Sequence, residues 1–144
     1  MIRRATPGDA DAVGRVFVAA RDEMSYLPRI DDDARTWLGS LFVERHRLWV
    51  WEDDGEVAGF VGVDGGEVSH LYIAPPAQGR GIGTALLEHA KSVSPEGLDL
   101  WVFQRNEGAR RFYERHGFRL VRLTDGAGNM EREPDALYAW AGSG

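Results

Sequence analysis

Between residues 67 and 93 the chain changes its apolar period, and it does so across a glycine-rich turn. Glu67 to Ile73 (EVSHLYI) reads as a strand, and Ala74-Pro75-Pro76-Ala77 breaks it. Thr84 to Val93 repeats at helical spacing with Ala85, Leu86, Ala90 and Val93 inward, and Pro95 and Gly97 stop it. Between strand and helix lies Gln78-Gly79-Arg80-Gly81-Ile82-Gly83-Thr84. Glycines at such a junction let backbone N–H groups point at an anion at the positive end of the helix. A strand, a turn and a helix in that order require a sheet with a helix laid back on it.

The flanking segments agree. Met1 to Ala5 reads as a short strand. Thr6, Pro7 and Asp9 start a helix as cap, first-position proline and acidic third position, followed by Val13, Val16, Phe17 and Ala20 at helical spacing. Ser25 to Pro28 is a break. Asp31, Asp32 and Asp33 open a second helix with Trp37, Leu38, Leu41 and Phe42 as its apolar face. Adjacent aspartates do not converge on a metal, and their charges suit a positive helix end. Arg47 to Glu52, Glu56 to Val63 and Glu67 to Ile73 form an antiparallel meander joined at Asp53-Asp54-Gly55 and Gly65-Gly66. Leu98 to Phe103 is a strand, Asn106 to His116 a helix closed by Gly117, Phe118 to Leu123 a strand, and Ala136 to Ala141 the last strand. The chain of 144 residues is expected to form one α/β domain, residues 1–144.

Composition narrows the function. There is no cysteine, which excludes disulfides, thiolate metal sites and cysteine nucleophiles and fits a cytoplasmic location. No apolar run approaches the ~18 residues of a membrane span, and no apolar stretch follows the basic N-terminus as a secretory signal requires. The net charge of −6 disfavours general nucleic-acid binding. The charge is uneven: residues 1–67 carry 8 basic and 14 acidic side chains, whereas residues 78–122 carry 8 basic and 5 acidic. One end of the molecule is therefore expected to welcome an anion. His46, His70, His89 and His116 make no metal-ligand spacing, so no metal is expected.

Three phosphate-binding patterns compete for the glycine-rich turn. A triphosphate loop needs a Lys after its last glycine, and Lys91 is too far along. A dinucleotide fingerprint needs a sixth-position glycine; counted from Gly79 that position is Thr84, and from Gly81 it is Leu86. What remains is Gln-x-x-Gly-x-Gly, carried by Gln78, Gly81 and Gly83.

With its neighbours, this stretch resembles the GNAT superfamily of acyl-CoA-dependent N-acetyltransferases. His70-Leu71-Tyr72-Ile73-Ala74-Pro75 is similar to the strand before that family's pyrophosphate loop, and Gln78 to Gly83 to the loop itself. Asn106, Ala109, Phe112, Tyr113, Glu114, Gly117 and Phe118 match its N-x-x-A-x-x-F-Y-E-x-x-G-F helix, about 25 residues on. The resemblance implies a mixed central sheet of about six to seven strands with about four flanking helices. It implies acetyl-CoA as cosubstrate, its pyrophosphate on the amides of Gln78, Gly79, Arg80, Gly81, Ile82, Gly83 and Thr84. The pantetheine arm would run along Leu71, Tyr72 and Ile73, with Asn106 as a side-chain contact. Arg80, Arg110 and Arg111 are candidates for charge near the ADP phosphates, and Arg115 reads as a solvated helix face.

Acetyl transfer needs a deprotonated amine, a stabilised oxyanion and a protonated leaving thiolate. By resemblance, Tyr113 is the general acid. Two residues compete for the base. Glu67 lies eleven residues before Gln78, the spacing of the base in the superfamily's histone acetyltransferases. By alternation it shares a face with Leu71 and Ile73, unless a β-bulge resets the phase. His70, with an ordinary pKa near 6.5, is the second candidate, and a water relay to a more distant carboxylate is a third route. Trp101 occupies the position at which the ribosomal-protein acetyltransferases carry their base glutamate.

The family's acceptor pocket maps onto Asp22 to Asp33 with Tyr26, the Glu67–His70 strand, Trp101 and the loop from Asn129 to Asp135. The acids there are Asp22, Glu23, Asp31, Asp32, Asp33, Glu131, Glu133 and Asp135, which suit a cationic amine of a small molecule or peptide. Two other readings stand beside this one: a catalytically silent acyl-CoA-binding regulatory module, and a transferase using a longer acyl-CoA. Family members are often homodimers.

Overall fold

The computed structural model describes residues 1–143. Seven strands form one sheet: β1 (Ile2–Arg4), β2 (Leu48–Asp53), β3 (Glu56–Asp64), β4 (Glu67–Ile73), β5 (Leu98–Phe103), β6 (Arg119–Leu123) and β7 (Asp135–Trp140). The helices are α1 (Ala10–Asp22), α2 (Asp32–Arg45), α3 (Ile82–Val93) and α4 (Glu107–Arg115). The order across the sheet is β1-β2-β3-β4-β5-β7-β6, and every neighbouring pair is antiparallel except β4 and β5.

Helices cover both faces. On one, α1 and α2 bury Val13, Val16, Phe17 and Phe42 against Leu48, Val50 and Phe60. On the other, α3 and α4 bury Ile82, Leu86, Leu87, Ala90 and Tyr113 against Val61, Val63, Leu100 and Tyr138. Alternate residues of β3 thus feed opposite cores, as the pleat requires. The inward row of α3 starts a turn earlier than the sequence reading: Ile82 and Leu87 join Leu86 and Ala90, and half-buried Val93 packs against the same core as expected.

The face assigned to α2 is corrected. Trp37 is 63% exposed, and only Phe42 of the four expected residues is fully buried. The reason is a backbone-close crossing of α1 and α2. A Cβ on Gly14 would sit 2.0 Å from the Arg35 carbonyl oxygen, and one on Gly39 would sit 1.8 Å from that of Ala10. Contact through two glycines rotates α2 away from the apolar stripe. At the start of α1, Asp9 accepts from the Thr6 amide at 2.8 Å and pairs with Arg3, also at 2.8 Å. Arg3 holds the Asp9 carboxyl at about 2, well below the ordinary range.

Candidate active site

The parallel pair β4–β5 makes a single register contact, Glu67 to Asp99. Beyond it the two strands diverge, so the β5-facing edge of β4 from Ser69 to Ile73 has no strand partner. A cavity of about 1310 Å³ fills the split. Its walls include Ser69 to Ile73 from β4, Leu100 to Phe103 from β5, the glycine-rich turn, and Asn106, Phe112 and Tyr113 from α4. An unpaired strand edge beside a cavity is a template for an extended ligand arm.

At one end of the cavity the turn does what its glycines foretold. Gly79 and Gly81 adopt φ of +77° and +83°, and Gly81 caps α3. Among the described residues, the amides from Gly79 to Thr84 donate to no backbone carbonyl. They are free donors at the positive end of a three-turn helix. Gln78 anchors the turn: its Nε2 donates to the Ile73 carbonyl and to Glu23, each at 3.1 Å. His116 steadies Thr84. Its Nδ1 donates to the Phe112 carbonyl at 2.8 Å, which leaves Nε2 to accept from the Thr84 hydroxyl at 3.2 Å. Asn106 caps α4, with Oδ1 accepting from the Ala109 amide at 3.2 Å, and its amide nitrogen remains a donor.

The arginines are redistributed. The Arg80 side chain pairs with Asp53 at 2.7 Å. Arg110 is tied into a chain in which its Nε donates to the Tyr138 hydroxyl at 3.0 Å and that hydroxyl donates to Glu114 at 2.7 Å. Arg115, read from the sequence as a solvated face, lines the cavity.

Residues 44–120 match the family model of the acetyltransferase (GNAT) domain. The chain belongs to the GNAT acetyltransferase family. It is 33% identical over 109 residues to the peptidyl-lysine N-acetyltransferase YiaC of Escherichia coli strain K12, covering 75% of this chain and 68% of that protein. It is 31% identical over 118 residues to a mycothiol acetyltransferase of Nocardia farcinica, covering 78% of this chain and 38% of that protein. The solution structure of apo-form YjaB from Escherichia coli superposes with a TM-score of 0.78 at 27% identity, covering 99% of this chain and 98% of that one. The expected mixed α/β fold and membership of the family are thus both observed, with seven strands and four helices.

Within the GNAT fold the remaining candidates separate. Tyr113 is buried in the cavity wall between Phe112 and Phe118, with ring centroids 5.4 and 5.7 Å away. Burial, with Tyr72 adding to it, pushes its hydroxyl far above the ordinary phenol range, so it stays protonated at neutral pH. Tyr72 is likewise pushed up by burial to about 12.

The two base candidates are placed apart. Opposite Gly62 and Val63 the register shifts so that Ser69 is an extra residue in β4. This bulge sends Val68 into the α3–α4 core with Leu71 and Ile73 and puts Glu67 on the face of His70 and Tyr72. The unbulged alternation is therefore corrected. Glu67 is exposed at the closed end of the split and does not line the cavity. Burial, then the charges of Asp99 and Asp64, push its carboxyl up. His70 does line the cavity. Burial, with a smaller contribution from His46, lowers its pKa to about 4, so it is neutral at pH 7.

That shift predicts a stability change with pH. A histidine with folded pKa near 4 and unfolded pKa near 6.5 binds its proton only when the chain unfolds. Its stabilising share is fully present above pH 6.5 and is lost as pH falls toward 4, about 3 kcal/mol in all. Urea midpoints of wild type and His70→Phe at pH 7.5 and 4.5 should therefore show a smaller acid loss in the variant. Equal losses would contradict the burial of His70.

The acceptor end is partly as expected. Glu23, Glu131, Asp135 and Trp101 line the cavity. Tyr26 does not; it stacks edge-on behind Phe103 at 6.1 Å, with Arg105 over its ring at 5.3 Å. Glu133 is buried and meets Arg105 at 3.1 Å. The Asp32 side chain lies outside the described residues. Met24 and Asn129, inside the expected acceptor segments, also line the cavity, and sequence reasoning missed Arg122 and Thr124, which line it too. Nothing in their local pattern marks them, because the loop before β7 comes to the split only through the β6–β7 pairing.

Proposed function

We propose that the protein moves an acetyl group from acetyl-CoA to a primary amine, the side chain of a peptidyl lysine being the preferred class of acceptor. The observation that carries this reading is the split between β4 and β5, whose cavity is lined both by a cradle of free amides and by three carboxylates. Acetyl-CoA supplies the activated acetyl group. The amides from Gly79 to Thr84 hold its pyrophosphate, and the unpaired edge of β4 holds its arm. Asn106 donates to the arm from the start of α4.

Glu23, Glu131 and Asp135 attract the acceptor cation. Arg21 approaches Glu131 at 3.9 Å, so part of that charge is already balanced. The amine attacks directly, and Tyr113 donates the proton that the leaving sulfur requires. A thiolate in the same apolar wall has its own pKa raised by burial, which narrows the gap between acid and leaving group. The likeness to a peptidyl-lysine acetyltransferase supports the acceptor class.

The test is thiol release from acetyl-CoA across lysyl peptides, polyamines and aminoglycosides. Lysyl peptides should give the highest kcat/KM. Binding without turnover on any amine would make the chain an acyl-CoA-binding module, and preference for a longer acyl-CoA would reassign the donor.

A further inference from the structure

Among the charged side chains that line the cavity, Glu23, Glu131 and Asp135 are acidic and Arg115 and Arg122 are basic. Each carboxylate already has a partner. Glu23 accepts from Gln78 at 3.1 Å, and Arg21 approaches Glu131 at 3.9 Å. Asp135 accepts from the Thr124 hydroxyl and, at 3.1 Å, from the Asn129 side-chain amide. Among the described residues neither arginine makes an ion pair. Arg115 belongs to α4, which packs with α3 on one face of the sheet. Arg122 comes to the cavity from β6, the edge strand.

A bulge aims it there. Between Leu120 and Arg122 the β6–β7 register shifts, so that Val121 is an extra residue. Leu120 and Leu123 lie opposite buried Tyr138 and Ala136, and Arg122 lies opposite Leu137. Without the extra residue Arg122 would share the face of Leu120; with it, the side chain turns to the other face. Trp101 lies opposite Leu137 from the β5 side. Arg122, Leu137 and Trp101 therefore form one row across three strands. Neighbouring strands lie about 4.8 Å apart, so β6 and β5 are roughly 10 Å apart. Arg122 nevertheless brings its Cζ to 5.6 Å from the Trp101 ring centre, which requires the side chain to lie across Leu137 toward the split. Trp101 is 42% exposed and alternates with Leu100 and Val102, which feed the α3–α4 core. The row thus faces the side on which His70 and Tyr72 pack against Phe17 of α1.

We propose that Arg122, laid on Trp101, is a specificity-determining residue that binds a carboxylate of the acceptor, so that the preferred lysine is one with an acidic group beside it. The proposal rests on the acetyl-transfer reading and deepens it. A guanidinium stacked on an indole keeps its charge and has little rotamer freedom left to lose, while its N–H edge stays open to both oxygens of a carboxylate. The acceptor supplies that anion rather than the cosubstrate. The amide cradle opens α3 and Arg115 sits on α4, both on the opposite face of the sheet from Arg122. The split then offers both signs of charge, acids for the lysine ammonium and Arg122 for the acid next to it. A flanking Asp or Glu side chain and the C-terminus of a peptide present the same carboxylate chemistry.

The test uses the full chain and peptides with a single lysine. Three are amidated and carry Glu, Gln or Arg on both sides of the lysine, and a fourth is the Gln peptide ending at the lysine with a free carboxylate. Wild type should favour the Glu peptide over the Gln peptide roughly 5- to 10-fold in kcat/KM, chiefly through KM, and added salt should shrink the preference. Arg122→Gln should bring that ratio to about 1. Arg122→Glu should reverse it in favour of the Arg peptide, which loss of a merely structural contact would not do. Trp101 is a positioning residue here: Trp101→Leu should lower the ratio, and Trp101→Phe, which keeps a ring beneath the guanidinium, should retain most of it. A preference for the free-carboxylate peptide alone, lost in Arg122→Gln, would support the site with the C-terminus as its source. Equal kcat/KM on all peptides, or a preference that survives Arg122→Gln, would overturn the proposal. Calorimetry of the same peptides on the protein saturated with CoA reads the preference without turnover. Tighter binding of a carboxylate-bearing peptide by wild type than by Arg122→Gln, with no acetyl transferred to any peptide, would count against the transferase reading and leave the Arg122 site standing. Equal binding of all peptides, or binding of none, would overturn that site.

Discussion

Gly81→Asp should weaken acetyl-CoA binding by roughly 10²- to 10³-fold, measured by calorimetry, and leave the sheet folded. A carboxylate placed ~4 Å from a pyrophosphate charge repels it by about 4 kcal/mol at a surface-like effective dielectric, and each 1.4 kcal/mol is tenfold in Kd. A Cβ at Gly81 meets nothing within 4 Å, so sterics inside the protein do not oppose the change. What does oppose it is the φ of +83°, which costs a non-glycine residue about 1–2 kcal/mol. Gly81→Ala carries that conformational cost without the charge and should bind acetyl-CoA far better than the aspartate variant. Equal losses in the two would mean that loop shape, not charge, governs binding. An unchanged Kd in Gly81→Asp would remove the turn from the cosubstrate site.

Tyr113→Phe should lower kcat by about 10²-fold while acetyl-CoA affinity stays within a few-fold. The substitution keeps the ring that packs between Phe112 and Phe118 and removes one hydroxyl. Among the described residues that hydroxyl hydrogen-bonds to no other protein group, so its loss strands no partner. A fall in kcat and kcat/KM together is the signature of an interaction made in the transition state alone. Equal kcat in the two proteins would mean that the thiolate leaves unaided or that another group protonates it.

The parts of the site that were legible in the sequence are those set by local backbone chemistry. Gly79 and Gly81 announce positive φ, a strand break and a helix start within a few residues, and all three are there. The parts that were not legible depend on distant register or on contacts between elements. The bulge at Ser69 is set by pairing with β3, and it moves Glu67 to the other face of β4. The face of α2 is set by Gly14 and Gly39, which bring two backbones together and leave Trp37 in solvent. Arg110 and Arg115 both sit on α4, yet one is bound to Tyr138 and the other faces the cavity. The loop that carries Asn129 and Glu131 holds only turn signals, and it was the family resemblance, not its local pattern, that placed it at the split it reaches.

The central claim is that the split brings acetyl-CoA, held by the amide cradle, to a lysine amine and transfers its acetyl group there. One measurement tests it most directly: incubation with acetyl-CoA labelled in the acetyl group and a lysyl peptide, followed by mass-spectrometric location of the label. The account predicts one labelled acetyl group on the lysine Nζ for each thiol released, and none with Gly81→Asp. Thiol release with the label recovered as free acetate and an unmodified peptide would contradict it.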